Sequence, residues 1–534
     1  MSKVQDKLPS GWAEATIEDI FETLEDGRTL HQGWSPQCES FPSQDEKVWG
    51  ALRTTAIQAG RFCPEHNKQL PAHLAPRPVI EVKAGDILLT CAGPRSRCGI
   101  ACLVRNTRKR LMISGKMYRF RVPEKEIDAR YVEAYLQTTA AQMAIDAMKT
   151  GGSDSGLNLT HERFRPLRIP IAPRNEQQRI ADTLDELLSD LDAGGDALHS
   201  AKAKLALYRA SVLKAAVQGD LTAEWRKQHP DAEPATELLK RILKERRQRW
   251  EQEQLRKFAD ASKTPPANWK AKYKEPITPD KTNLPKLPKD WCWVSLDALL
   301  REQLRNGHSS KATLSGDGVP TFTLSAVTYG DFSDSNIKFT SANPAKVTDL
   351  WVQPDDIFIE RSNTPELVGT ARHYKGEPNT AIFPDLLIRV RTSSLVLTSF
   401  IAAILQANDS RRFFQARAQG VSGSMPKIDQ SVIESLPVPL CSLEEQAQIM
   451  ESLDDQMSVL DHLEVQISEK NSVSRAIRQS VLHHAFTGKL APQDPNDELA
   501  SELLKRIAIE REKSKKQKAP HLQKQKAKKQ KRVK

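Results

Sequence analysis

Two turn-rich loops hold the residue types best suited to recognition chemistry in this 534-residue chain. Thr90-Cys-Ala-Gly-Pro-Arg-Ser-Arg-Cys-Gly99 carries Arg95 and Arg97, and Glu360-Arg-Ser-Asn-Thr-Pro-Glu-Leu-Val-Gly369 carries Arg361 and Asn363. Arg can pair in two places with the guanine edge, and Asn can do the same with adenine. Equivalent loops with different polar side chains suit two related readers of different base sequences. Arg53, Thr54, Lys116 and Arg119 are further candidates in the first half, and Asn306, Lys311, Thr323 and Ser325 in the second. Some of these would position phosphates without reading sequence, and the plainer alternative for any one of them is surface solvation.

Other chemistries find less support. There is no G-x-x-x-x-G-K-[ST] phosphate loop, no G-x-G-x-x-G after a strand, and no Asn-Pro-Pro-aromatic motif. Gly420-Val-Ser-Gly-Ser is Gly-rich, but its counterpart Gly151-Gly-Ser-Asp-Ser makes it a repeated loop. Cys63, His66, His73, Cys91, Cys98 and Cys102 could be considered for zinc, yet structural zinc sites present two close pairs. The second half puts Arg361, Val368 and Arg372 where the first has Cys91, Cys98 and Cys102, so small buried side chains are the expectation. Pro354-Asp355-Asp356 with Glu360-Arg361 loosely matches a nuclease pattern but lacks its Lys; a turn leading into a strand is the simpler reading.

The elements that must position these loops are written twice. Residues 52–62 reappear at 322–332, IADTLDELLSDLD (180–192) as IMESLDDQMSVLD (449–461), LKAAVQGDL (213–221) as LHHAFTGKL (482–490), and ELLKRI at 237–242 and 502–507. The offset drifts only from 279 to 265 residues, which indicates a duplicated domain pair and not a solenoid of short units. Each half opens on Leu-Pro-x-x-Trp (8–12 and 287–291), continues into a strand-rich region, and ends in Pro-bounded strands. From Glu176 to Val217 there is no Pro, and apolar residues fall at heptad positions: Leu184, Leu187, Leu191, Leu198, Ala201, Leu205, Tyr208, Val212 and Ala215. The second seam is Leu453, Leu460, Leu463, Ile467, Ile477 and Val481, with polar interruptions. A lone helix of this kind cannot bury a heptad seam. Its duplicate is the obvious partner, and packing about a pseudo-twofold axis would make the two antiparallel. Gly194 and Gly195 mark a point of possible bending.

These readings predict an α+β chain: two α/β globular domains separated by two long coiled-coil helices, antiparallel about a pseudo-twofold axis. The expected divisions are 1–174 (first domain), 175–222 (central long helix), 223–290 (charged helix and Pro-rich linker), 291–443 (second domain), 444–491 (distal long helix) and 492–534 (short helix and polybasic tail). Net charge is +11, but 513–534 holds eleven Lys and Arg and no acid. The remainder is therefore balanced, and the tail suits either solvation or nonspecific attraction to phosphates. The seven cysteines without paired spacing suit a reducing cytoplasm. No apolar run long enough for a membrane span occurs, and the opening residues do not form a signal peptide.

The Leu-Pro-x-x-Trp openings, the turns Gly85-Asp-Ile-Leu-Leu and Asp355-Asp-Ile-Phe-Ile, and Glu444-Glu-Gln-Ala-Gln-Ile leading into a helix that ends in Ala485-Phe-Thr-Gly-Lys-Leu resemble the specificity subunit of type I restriction-modification systems. The resemblance covers about residues 8–510. It implies a non-catalytic subunit that binds double-stranded DNA, its two globular domains being target-recognition domains that each read one half of a split target while the helix pair sets the spacer. It also implies two modification subunits that methylate adenine with S-adenosylmethionine. Two restriction subunits can join, using ATP and magnesium. No cofactor is expected in this chain itself. A coiled-coil scaffold and a self-contained DNA-modifying enzyme are the alternatives.

Overall fold

The computed structural model describes residues 8–282, 284–313, 316–420 and 425–513. The tail 514–534 and most of the Gly420–Ser424 loop lie outside the described residues. The chain forms two compact units: Met1–His199 with Ser468–Lys534, and Ser200–Ile467. The units therefore do not follow the halves of the sequence, because each takes a segment from the other half.

In the first unit, the strands His31–Gln32, Met117–Phe120, Ile87–Thr90 and Ala101–Leu103 form one antiparallel sheet in that spatial order. In the second, Arg305–Asn306, Leu387–Val390, Ile357–Glu360 and Ala371–His373 repeat the same order and the same antiparallel pairing. Ile87–Thr90 and Ile357–Glu360 are buried along their whole length, as expected for apolar runs covered on both faces. The preceding turns are built alike. Asp86 accepts from the Lys83 amide at 2.7 Å and pairs with Arg121, while Asp356 accepts from the Gln353 amide at 2.9 Å and pairs with Arg391. Asp356 thus belongs to a turn and a buried ion pair.

Each unit's opening Trp is tied to the start of a long helix. Trp12 donates its indole N–H to Glu176 Oε2 at 3.0 Å, and Trp291 donates to Glu445 Oε2 at 2.8 Å. The next residue on each helix, Gln177 or Gln446, is fully buried. Its side-chain oxygen accepts from a backbone amide at the start of a domain helix, that of Asp128 or Leu397, at 2.9 Å. These bonds satisfy donors that a buried helix start would otherwise leave orphaned.

The long helices are Arg174–Gln218 and Leu443–Phe486. At 1.5 Å per residue, the 45 residues of the first span about 67 Å, unbroken through Gly194 and Gly195. Within the first unit, Ile180 and Leu184 share a core with Leu482 and Ala485, and Asp192 pairs with Arg478. Within the second, Lys202 pairs with Glu464, Arg209 with Asp461, and Val212 and Ala216 share a core with Leu453 and Ile449. In both units one helix index rises as the other falls, so the paired segments are antiparallel. The heptad seam is less closed than its spacing predicts, since Leu187, Tyr208, Leu463 and Ile477 are exposed. Burial concentrates where the helices meet a globular domain, because two helices alone cover only one side of each other.

The duplicated ELLKRI segments complete the interleaving. Helix 500–513 packs on the first unit, with the Ala500 amide donating to Gly11 O at 2.9 Å. Ala235–Asp260 packs on the second, with the Ala235 amide donating to Asp290 O at 2.9 Å. Among the described residues no helix is long and apolar enough to cross a membrane.

Two glycines make a sharp contrast. Gly219 has φ +77°, and an added Cβ would lie 2.9 Å from the Trp291 ring and 3.0 Å from Pro288. Gly194, inside the helix, has nothing within 4 Å. Gly219→Ala should destabilise by about 1–3 kcal/mol, whereas Gly194→Ala should stabilise by about 0.5–1 kcal/mol; thermal unfolding of the two variants measures both. A pH effect is also expected at Glu176, whose carboxyl is held above its usual 4.5, first by burial. A raised folded-state value means that stability is fully present below pH 4.5 and falls as the pH rises through that higher value. Glu176→Gln keeps an acceptor for Trp12 and removes the titration. The wild type should therefore lose stability relative to the variant as pH rises from about 4 to 7, as denaturant titrations at several pH values would measure.

Candidate nucleic-acid interface

Strand Gly50–Leu52 runs parallel to Leu111–Met112, with Leu111 beside Gly50. Their C-terminal ends therefore emerge together, carrying Arg53 on one and the turn 113–116 on the other. The Cys91 amide donates to Lys116 O at 2.8 Å, which brings the loop 91–99 to the same end. Arg53 and Lys116 are exposed there, and Thr54 is half-buried. Neither cation makes a side-chain hydrogen bond or ion pair among the described residues, leaving both charges available to a phosphate or a base edge.

The other first-half candidates have work inside the protein. The Arg97 guanidinium donates to Thr54 O at 2.6 Å, Ile57 O at 2.7 Å and Gln58 Oε1 at 3.1 Å. Both terminal nitrogens are thereby engaged by the 54–58 turn, so Arg97 positions the Arg53 segment. Arg95 pairs with Asp146 at 2.6 Å and Asp154 at 3.1 Å, pinning its loop to the 150–157 turn while remaining at the surface. Arg119 corrects the sequence reading. It is 7% exposed, donates to His31 Nδ1 at 2.7 Å and Val79 O at 2.9 Å, and lies 3.5 Å from Asp86. Burial pulls its guanidinium below the usual range, and withdrawing it would break its bonds to His31 and Val79 inside the fold.

The cysteines of this region sit in separate places. Cys91 and Cys98 belong to the larger core and Cys102 to a second cluster, on the other side of the sheet. Burial pushes the Cys91 thiol up to about 12, as suits a small buried side chain.

The second unit repeats the backbone frame with other side chains. The Arg361 amide donates to Leu386 O at 2.8 Å, as Cys91 does to Lys116 O. The Gly369 and Gly99 amides donate to Glu360 O and Thr90 O at 2.9 and 2.7 Å, and the Ile428 and Leu159 amides donate to Arg361 O and Cys91 O at 2.9 and 2.8 Å. Gly33 and Gly307 occupy equivalent crowded positions, where a Cβ would lie 2.1 Å from Ile113 O and 2.2 Å from Phe383 O, respectively.

Lys311 is exposed on this frame, and Arg361 and Ser325 are half-buried. The Asp429 carboxyl is held below its usual range first by the Ser431 hydroxyl and the Val432 amide, with the nearby Arg361 charge adding a smaller part. Asn306 accepts from Gln430 at 3.0 Å, and Thr323 donates to Asn336 at 3.4 Å. Asn363 corrects the sequence reading. Its amide donates to Glu360 Oε2 at 2.7 Å and its oxygen accepts from the Thr364 amide at 2.8 Å, so the edge that would pair with adenine is occupied within the loop. Spacing alone could not reveal this, because a loop Asn closing its own turn and one facing outward look alike in sequence. The sequence reading also missed Tyr329, 79% exposed at the end of the short helix Leu324–Tyr329. Its one signal was its place in the duplicated segment 322–332.

Each unit thus carries a four-stranded sheet with an equivalent loop cluster at its end, a duplicated frame with different exposed side chains. Residues 9–196 match the family described as type I restriction modification DNA specificity domain. The chain is 24% identical over 519 residues to the type I restriction enzyme EcoKI specificity subunit of Escherichia coli (strain K12), covering 95% of this chain and 96% of that one. It is 36% identical over 196 residues to the EcoEI specificity subunit of Escherichia coli, a match that spans 37% of this chain and about a third (32%) of that protein's length. In fold it is similar to a chain from a solved structure of a type I R-M system, with a TM-score of 0.52, 15% identity, and coverage of 91% of this chain and 100% of that one. The family match covers about a third of the chain, residues 9–196, and the similarity to specificity subunits extends along most of its length.

The different tasks of Arg53 and Arg97 can be separated. Arg53→Ala should leave unfolding within about 0.5 kcal/mol of wild type while weakening DNA binding, with a shallower salt dependence if the contact is to phosphate. Arg97→Ala should weaken binding too, but through a loosened 54–62 segment, seen as faster amide exchange there. Exchange unchanged in Arg97→Ala would remove the bracing role.

Proposed function

We propose that this chain is the non-catalytic reader of a split DNA target. The loop cluster around Arg53 and Lys116 reads one half-site, and the cluster around Lys311, Ser325 and Arg361 reads a different one. The observation that carries this reading is the repeated backbone frame bearing unlike side chains: one scaffold geometry with two surface chemistries. The long helices hold the unspecified spacer between half-sites. The 1.5 Å rise per residue makes such a pair a ruler.

The chain works with two modification subunits that transfer a methyl group from S-adenosylmethionine to adenine, and with two restriction subunits that use ATP and magnesium, in the cytoplasm. No step of either reaction is assigned to residues of this chain. The two carboxylates of the nuclease-like sequence pattern, Asp356 and Glu360, are engaged within the fold, Asp356 by Arg391 and Glu360 by Asn363.

The test is methylation mapping of genomic DNA in cells that express the modification partner with and without this chain. A methylated adenine motif split by a fixed gap, present only with the chain, is the expected result. A well-folded insertion of several residues at Gly194–Gly195 should change the gap and leave both half-sites alone. An unsplit motif, or a gap indifferent to the insertion, would count against the ruler.

A further inference from the structure

The second unit holds an exposed aromatic ring in place with buried polar groups. Tyr329 ends the helix Leu324–Tyr329, and Gly330 follows in the left-handed region at φ +73°. The residue before the ring, Thr328, donates its hydroxyl to Glu360, whose carboxylate is fully buried. The other Glu360 oxygen accepts from Asn363 at 2.7 Å, and Arg372 Nη2 donates to Thr328 O at 3.5 Å. A Cβ on Gly330 would lie 2.9 Å from Arg372 Nε, so the same arginine also closes the turn after the ring. Downstream, Phe332 anchors the returning segment, its ring 5.3 Å from Phe322 and 5.2 Å from Tyr374. Tyr329, three residues earlier, is left in solvent.

A single exposed apolar side chain needs no explanation by itself. A buried carboxylate is different, because keeping one beside the helix end is costly unless it is fully bonded. Here its bonds fix the helix end that carries Tyr329. The position is equally specific. Glu360 is the last residue of strand Ile357–Glu360, from which the Arg361 loop departs, so the ring stands beside the second loop cluster. The first unit braces its equivalent segment with Arg97, by different chemistry at the same place.

We infer that Tyr329 is a specificity-determining residue of the second unit, touching a base through the apolar face of its ring, with Glu360 and Thr328 as positioning residues. The inference rests on the proposed reading of a split target. The exposed acids Asp331 and Asp334 on the following turn disfavour a phosphate there, so the contact is with a base: a thymine methyl or an opened base step.

The test uses the full chain assembled with its modification subunits, in competition binding against the target duplex and every single-base variant of both half-sites. Tyr329→Ala should bind the target roughly tenfold more weakly, as loss of one base contact does. It should flatten discrimination at one position or two adjoining positions of one half-site, the other being unchanged. Tyr329→Phe should retain both affinity and discrimination. Thr328→Val should flatten the same position and add little when combined with Tyr329→Ala. Since the Tyr329 ring is exposed, its removal does not threaten folding. Unaltered discrimination in Tyr329→Ala overturns the inference, as does equal loss across both half-sites or weakened subunit assembly with base preferences intact. A wild-type complex without a split preference overturns the underlying reading as well.

Discussion

A single buried carboxylate at the start of each long helix holds three separate chain segments together. Glu176 accepts from the Trp12 indole and from Gln493, and Glu445 accepts from the Trp291 indole, Thr222 and Arg226. Each therefore joins the opening motif of a domain, the helix leaving that domain, and the segment that follows the other long helix. Burying a charge this way is tolerable only because its oxygens are bonded. The adjacent Gln extends the same junction to a domain helix.

The interleaving of segments follows from that constraint. Gly219 and Gly488 end the long helices with positive φ, and an added Cβ would come within 2.9 Å of Trp291 at the first and 2.7 Å of Pro9 at the second. The chain thus turns sharply against an opening motif, then lays a short charged helix on the same unit. The repeated ELLKRI apolar positions are what these helices bury, including Leu238 and Ile242 on one and Leu503 and Ile507 on the other. Neither compact unit is built from one continuous half of the sequence.

Recognition and rigidity are divided among neighbouring polar residues. In both units a polar side chain of the loop cluster bonds inside the protein, Arg97 to carbonyls of the 54–58 turn and the buried Glu360 to the Thr328 hydroxyl. The exposed ones, Arg53, Lys116, Lys311 and Tyr329, have their polar or aromatic surface free for a partner. This division suits a reader whose loops vary: the braces keep the presented side chains in one geometry, and binding then loses less conformational entropy.

The duplication, the long Pro-free helices, the opening Trp motifs and the strands after Asp86 and Asp356 were legible in the sequence. Periodicity and local turn chemistry record short-range constraints, and two copies record them twice. Tertiary structure decided what each polar residue does. Arg53, Arg97 and Arg119 are the same residue type within one domain, yet one is exposed, one braces a turn and one lies in a buried ion-paired network. Asn363 closes its own loop, while Tyr329, unremarkable in sequence, stands in solvent. A side chain's availability depends on which distant carbonyls and carboxylates reach it first, and that follows from the fold and not from spacing. The same holds for the helix seam. Heptad spacing marked which residues are apolar, but only the packing of domains against the helix ends determined that Leu184 and Leu482 are covered while Leu187 and Ile477 are not.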